Sequence, residues 1–238
     1  MSNAVSIANL SKHYGSQQIL SNINLEIAEG EFFGLVGING AGKTTLIKCL
    51  LDFTEVDAGT ISIFGRQHSE NQSRKNLSFL PEKFVPPYYL SGKDFLVYMH
   101  ELHGSHYDQN EVDELLRTLD LDPVYINKSV GQLSKGMSQK IGLAACLLSG
   151  KDMLLLDEPM SGLDPRARAY LKHYLLARKE EGKTLFFSTH MLNDVEALCD
   201  KVAILHGGEI RFVGSPAQCC SDYNTDDFEQ AYLNCVGK

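Results

Sequence analysis

Gly37-Ile38-Asn39-Gly40-Ala41-Gly42-Lys43-Thr44-Thr45 fits the phosphate-loop pattern G-x-x-x-x-G-K-[ST]. Its neighbours suit it. An apolar run at residues 32–36 enters as a strand, and a helix-like segment at residues 44–51 leaves. The residue types follow from the chemistry of an anion. Glycines let backbone N–H groups close around phosphate oxygens without Cβ clashes, and the helix start turns its positive dipole end to the charge. Lys43 is expected to reach the β- and γ-phosphates, and Thr44 to offer its hydroxyl to Mg²⁺. On average residue usage, a chance match in such a chain has a probability on the order of 1%. A strand before and a helix after lower it further, so nucleotide binding is the reading.

Working outward, a second apolar run, Met153-Leu154-Leu155-Leu156, ends in Asp157-Glu158. A carboxylate at the C-terminal edge of a parallel sheet, beside a phosphate loop, is placed to hold Mg²⁺, and this role falls to Asp157. Glu158 points differently and could polarise a water for in-line attack on the γ-phosphate.

The rest of the chain alternates strand-like and helix-like segments. Residues 5–10 and 19–27 alternate as half-buried strands, with a turn at Lys12-His13-Tyr14-Gly15 between them. Residues 60–64 and 77–80 read as strands. Pro81, Pro86 and Pro87 then punctuate the chain, and helical spacing takes over. A first helix starts at a capping-box-like Ser91-to-Asp94 segment and stops at Gly104; others cover residues 110–119 and about 138–148. The strand–helix rhythm resumes with strands at 152–156, 184–188, 202–205 and 209–213, and helices at 165–181 and near 192–198. Asp164-Pro165 fits an N-cap followed by a first-turn proline. The expectation is an α/β fold: a mostly parallel sheet with helices on both sides, an N-terminal antiparallel portion and an inserted helical lobe. The division expected is a core of residues 1–85 and 150–220, a lobe of 86–149, and a helical tail of 221–238.

Bulk composition narrows the function classes. With 238 residues and 43% hydrophobic content the chain can bury a large core without staples. Its net charge of −8 argues against a nucleic-acid partner, and none is expected. Six cysteines without C-x-x-C spacing, behind an N-terminus unlike a signal peptide, read as reduced cytosolic thiols. The longest uncharged apolar run, residues 141–150, is far short of a bilayer span.

With these pieces the chain resembles the ATP-binding cassette (ABC) family over nearly all its length. Leu133-Ser134-Lys135-Gly136-Met137-Ser138-Gln139-Lys140 looks like that family's signature motif, Ser161-Gly162-Leu163-Asp164 like its D-loop, and His190 like its switch histidine. Tyr14 matches the aromatic that stacks on adenine. The resemblance implies a P-loop NTPase with a RecA-like core. It also implies a head-to-tail dimer that sandwiches two ATP molecules between the phosphate loop (Gly37, Asn39, Gly40, Ala41, Gly42, Lys43, Thr44, Thr45) of one copy and Ser134, Gly136 and Asp164 of the other. Catalysis falls to Glu158, His190 and Lys43, and Mg²⁺ to Thr44, Asp157 and Glu82. The resemblance further implies a separate membrane-spanning permease docked near residues 82–89, and a peripheral place on the cytoplasmic side of the plasma (inner) membrane. The alternative is a soluble single cassette in an assembly role such as iron–sulfur cluster biogenesis.

This chain departs from the pattern at three places. Lys135 replaces the first signature glycine, Met137 the usual glutamine, and Glu82 a glutamine that ordinarily follows the 77–81 strand. A carboxylate at 82 can ligate Mg²⁺ but cannot donate a hydrogen bond. The combination looks most like the bacterial ABC-2 type exporter branch. Phe84, Val85, Tyr88 and Tyr89 read equally as a partner-covered groove and as a packed hinge. His100, His103 and His106 read as the end of a helix whose dipole favours positive charge.

Overall fold

The computed structural model describes residues 2–237. Strands β1 (Asn3–Tyr14) and β2 (Gln17–Ala28) form an antiparallel hairpin whose alternation buries Val5, Ile7 and Leu10 against Ile23, Leu25 and Ile27. The turn expected at residues 12–15 is shorter than that. Lys12, His13 and Tyr14 continue the strand, and Gly15, at φ 60°, makes the reversal.

Strand β3 (Phe32–Val36) is buried at every residue, as a central parallel strand requires, and runs through the phosphate loop into α1 (Lys43–Leu50). Next come β4 (Ala58–Ile63), the short β5 (Arg66–Gln67) and β6 (Leu77–Leu80). Helix α2 (Gly92–His103) opens on the expected capping box between Ser91 and Asp94, and its cap is Gly104 at φ 69°. Helices α3 (Gln109–Thr118) and α4 (Lys135–Leu147) follow. The alternating half consists of β7 (Met153–Asp157), α5 (Pro165–Glu180), β8 (Thr184–Thr189), α6 (Leu192–Leu198), β9 (Lys201–His206) and β10 (Glu209–Gly214). Two helices close the chain, α7 (Pro216–Asp222) and α8 (Phe228–Val236). Sequence spacing indicates α8 but not α7.

Six strands form one sheet in the order β10-β9-β3-β8-β7-β6, parallel except for the β10 edge. The other four form an antiparallel sheet, β2-β1-β4-β5. Side chains alternate across the six-stranded sheet. Phe32, Val36, Leu154, Leu156 and Phe187 face one core together with residues of α2 to α6 and α8. Phe33, Leu35, Leu155 and Phe186 face a second core, shared with α1 and the four-stranded sheet. Helices thus lie on both sides of this sheet, as expected, but unequally. One face carries several helices, while on the other α1 is sandwiched between two sheets, because the hairpin's apolar face also has to be covered.

This order sets β3, β8 and β7 side by side. Their carboxyl ends deliver the phosphate loop, His190 and the Asp157-Glu158 pair to one edge, where open α/β sheets bind ligands. Among the described residues no helix is long and apolar enough to cross a membrane.

Candidate functional site

At that edge lies a cleft of about 450 Å³ lined by Tyr14, Asn39, Gly40, Gly42, Lys43, Thr44, Thr45, Glu82 and Glu158, with Ile19, Ile38 and Lys83. Gly42 caps α1 at φ 109°, a backbone that side chains rarely adopt. That turn brings the first N–H groups of α1 to the head of the loop, where they have no partners within the helix and suit an anion. Tyr14, about half exposed, stands on the cleft wall with the Lys12 ammonium 5.4 Å from its ring centre.

Lys43 is buried and folds back over the loop. Its Nζ donates to the Gly37 carbonyl at 2.6 Å and lies 3.3 Å from Glu158 Oε1. That approach is an ion pair without hydrogen-bond alignment, for Oε1 has no hydrogen-bond partner. The other carboxylate oxygen of Glu158 accepts from His190 Nδ1 at 2.9 Å. His190 is half exposed and so links the cleft floor to solvent. Glu158 itself sits at φ 51°, in the left-handed region, where a residue with a Cβ is strained.

Asp157 is buried and accepts from Thr44 Oγ1 at 3.0 Å through Oδ2. Its Oδ1 accepts from the Ser188 hydroxyl. Burial pushes its carboxyl above the ordinary range; the two hydroxyl donors and Lys43 pull it back, while the charge of Glu82 adds to the rise. Two neighbouring carboxylates and a hydroxyl are hard oxygen donors, and few in number. That set fits Mg²⁺, which keeps much of its water and takes one or two carboxylates from protein.

Ser134, Gly136 and Asp164 do not line this cleft. They gather instead where α4 and α5 begin. Ser134 is the N-cap of α4, its Oγ accepting from Met137 N at 3.2 Å, so the helix starts three residues before the expected position 138. Gly136 lies so close to the D-loop that a Cβ there would meet the Gly162 carbonyl at 3.1 Å. Asp164 caps α5, accepting from Ala167 N at 2.8 Å; this N–H and the Lys140 ammonium at 3.2 Å hold its carboxyl below the usual range. Lys140, on α4, and Ser188, on β8, are two residues that sequence reading passed over. Lys140 carried a signal, a charge directly before the apolar run that ends the helix. Ser188 carried a fainter one, a hydroxyl ending an apolar strand.

The other candidates divide. Phe84 packs against Phe95 with ring centres 5.5 Å apart, whereas Val85, Tyr88 and Tyr89 are more than 70% exposed. The packed-hinge reading therefore holds for Phe84 alone. The histidine reading is corrected. His100 is buried with its Nδ1 2.8 Å from Ser105 Oγ, and burial pushes both His100 and His103 below their ordinary pKa, so the helix end is not a cationic cap.

Comparison with known proteins agrees with this geometry. The family profile described as ABC transporter matches residues 20–161. An uncharacterized ABC transporter ATP-binding protein of Synechocystis is 38% identical over 84% of this chain; the match spans 57% of that protein, so this chain is shorter than that relative. The bacitracin transport ATP-binding protein BcrA of Bacillus licheniformis is 35% identical over 88% of this chain and 69% of its own. A solved structure described as the ATP-binding subunit of an ABC transporter superposes with a TM-score of 0.90 at 27% identity, covering 98% of this chain and 99% of that one. Profile, relatives and fold converge on one assignment: the chain is an ATP-binding cassette of the ABC transporter family.

Proposed function

We propose that this chain binds and hydrolyses ATP, and that the cycle powers transport, in the direction of export, through a separate membrane-spanning subunit. The observation that carries the reading is the pair of contact sets at the cleft: Lys43 to Glu158 to His190, and, from the next residue of the loop, Thr44 to Asp157. Adenine stacks on Tyr14, and the phosphates lie along residues 37–45. Thr44, Asp157 and Glu82 would hold Mg²⁺, which would offset phosphate charge. Lys43 exchanges its loop carbonyl and Glu158 contacts for the β- and γ-phosphates. Freed from the lysine, Glu158 accepts a proton from water as the water oxygen bonds to the γ-phosphorus and the bond to the bridging oxygen breaks, giving ADP and phosphate. His190 holds Glu158 in place and faces the terminal phosphate.

The positions that complete the nucleotide's surroundings, Ser134, Gly136 and Asp164, sit away from the cleft of their own chain. Two copies placed head to tail bring each set to the other's cleft, so closure depends on an intact triphosphate. BcrA, named for bacitracin transport, supports the transport reading, and the Leu133-to-Met137 signature, with its likeness to the exporter branch, supports the direction. The experiment is Glu158→Gln. Turnover should fall by about 10²–10⁴-fold, while light scattering with Mg·ATP shows a stable dimer. Ordinary turnover in this variant, or a monomer at saturating ATP, defeats the proposal.

A further inference from the structure

Ser188 stands on the central strand of the three that build the cleft and lies opposite Asp157 in the parallel ladder. It is fully buried, among Leu185, Phe186 and Phe187 on its own strand, and takes part in none of the steps above. A hydroxyl there needs partners, and it has two. It accepts from the Glu158 N–H at 3.2 Å and donates to Asp157 Oδ1. The Ser188 carbonyl takes the same Glu158 N–H at 3.2 Å. Both members of the Asp157-Glu158 pair thus hang from one side chain.

Each end of that bridge constrains something the site uses. Asp157 has two hydroxyl donors, Thr44 on one oxygen and Ser188 on the other. Thr44 is itself a candidate metal ligand, so Ser188 is the donor that stays with the carboxylate when Thr44 turns to a cation. At the other end the Glu158 peptide is held at φ 51°, a conformation that persists only when its surroundings enforce it. An alanine at 188 would fill the strand and keep the backbone bond, yet lose both hydroxyl contacts.

We infer that Ser188 is a positioning residue: its one hydroxyl orients the carboxylate of Asp157 toward the cation and pins the strained peptide that aims Glu158. The inference rests on the proposed roles of Asp157 and Glu158. It is tested on the full chain with Mn²⁺ as the metal probe and ADP as the nucleotide, by electron paramagnetic resonance, so no turnover enters. Ser188→Ala should bind Mn²⁺ about tenfold more weakly, in the range found for groups that orient metal ligands, while ADP affinity in EDTA changes by less than about twofold. Ser188→Cys, which keeps only a weak donor, should lose less than Ser188→Ala but still more than about twofold. Mn²⁺ affinity in Ser188→Ala within about twofold of wild type overturns the inference, as does an equal loss of metal-free ADP binding, the mark of a packing defect. If Ser188→Ala does not unfold cooperatively, Ser188→Cys is held to the same criteria. A wild-type chain that binds no Mn²⁺ with ADP would sink the nucleotide-site reading itself; a normal wild type beside an unchanged Ser188→Ala sinks only the role of Ser188.

Discussion

Lys43 and Glu158 form one ion pair in the free chain and have separate proposed roles once nucleotide is bound. Both are buried, and the ammonium neutralises a carboxylate that has otherwise only His190. A phosphate that draws Lys43 away would leave Glu158 a buried carboxylate paired with His190 alone. The same reasoning predicts an effect without nucleotide. Removing one partner of a buried pair leaves the other charge uncompensated, so Lys43→Ala should destabilise the free chain by about 3 kcal/mol as well as abolish tight ATP binding. Adding Glu158→Gln to Lys43→Ala should recover most of that stability, because the stranded charge is gone. Urea unfolding of the two single variants and the double variant measures it. An unchanged midpoint for Lys43→Ala would show that the pair carries no stability.

Among the elements, α2 tests the account of burial against dipole. Its C-terminal histidines suggested cationic capping, but His100 is buried against Ser105 and Tyr107, and desolvation outweighs the favourable charge of Glu111. A histidine with a lowered folded pKa is neutral in the fold, whereas in the unfolded chain it protonates near its ordinary value of about 6.5. Below that pH the unfolded state binds more protons, so stability present above it is lost as pH falls. Urea midpoints should therefore drop between pH 7.5 and 5.5, and drop less in His100→Gln; parallel slopes for the two proteins would contradict the assignment. The case also shows what sequence could yield. Helical spacing placed α2 and its capping box, since a cap needs only local residues. Spacing did not tell which side of His100 would meet the core, because that depends on how α2 packs against α4 and the 123–127 turn. Ser134 is similar. Its N-cap role was legible from the serine but hidden by Gly136 two residues later, so the start of α4 was placed late. Helix α7 could have been read, for Ser215-Pro216 carries the signal that revealed α5. The phosphate loop, Asp157 and Glu158 were legible because their chemistry forces a sequence pattern, whereas the Ser188 bridge depends on strand order and is invisible until β8 is known to lie beside β7.

For the molecule as a whole, the unexplained surface is the segment beyond Glu82. Val85, Tyr88 and Tyr89 are exposed, and the two tyrosines stack edge to face on each other with ring centres 5.6 Å apart rather than on the core. Glu82, at the start of this segment, lines the same cleft as Lys43 and Glu158. A partner seated on residues 84–89 thus lies a few residues from Glu82, the proposed cation ligand. Among the described residues no helix is long and apolar enough to cross a membrane, and this segment is the proposed docking place for a membrane-spanning partner. The contrast between neighbours makes the proposal separable from folding. Tyr88→Ser with Tyr89→Ser changes exposed side chains and should alter stability by less than about 0.5 kcal/mol. Phe84→Ala removes a ring packed on Phe95 and should cost about 3 kcal/mol. If the segment docks a membrane protein, the tyrosine double variant loses recovery with native membranes yet retains ATP-driven dimerisation. Equal recovery of wild type and double variant would move the docking surface elsewhere, and loss of dimerisation in the double variant would place the tyrosines between the two copies instead.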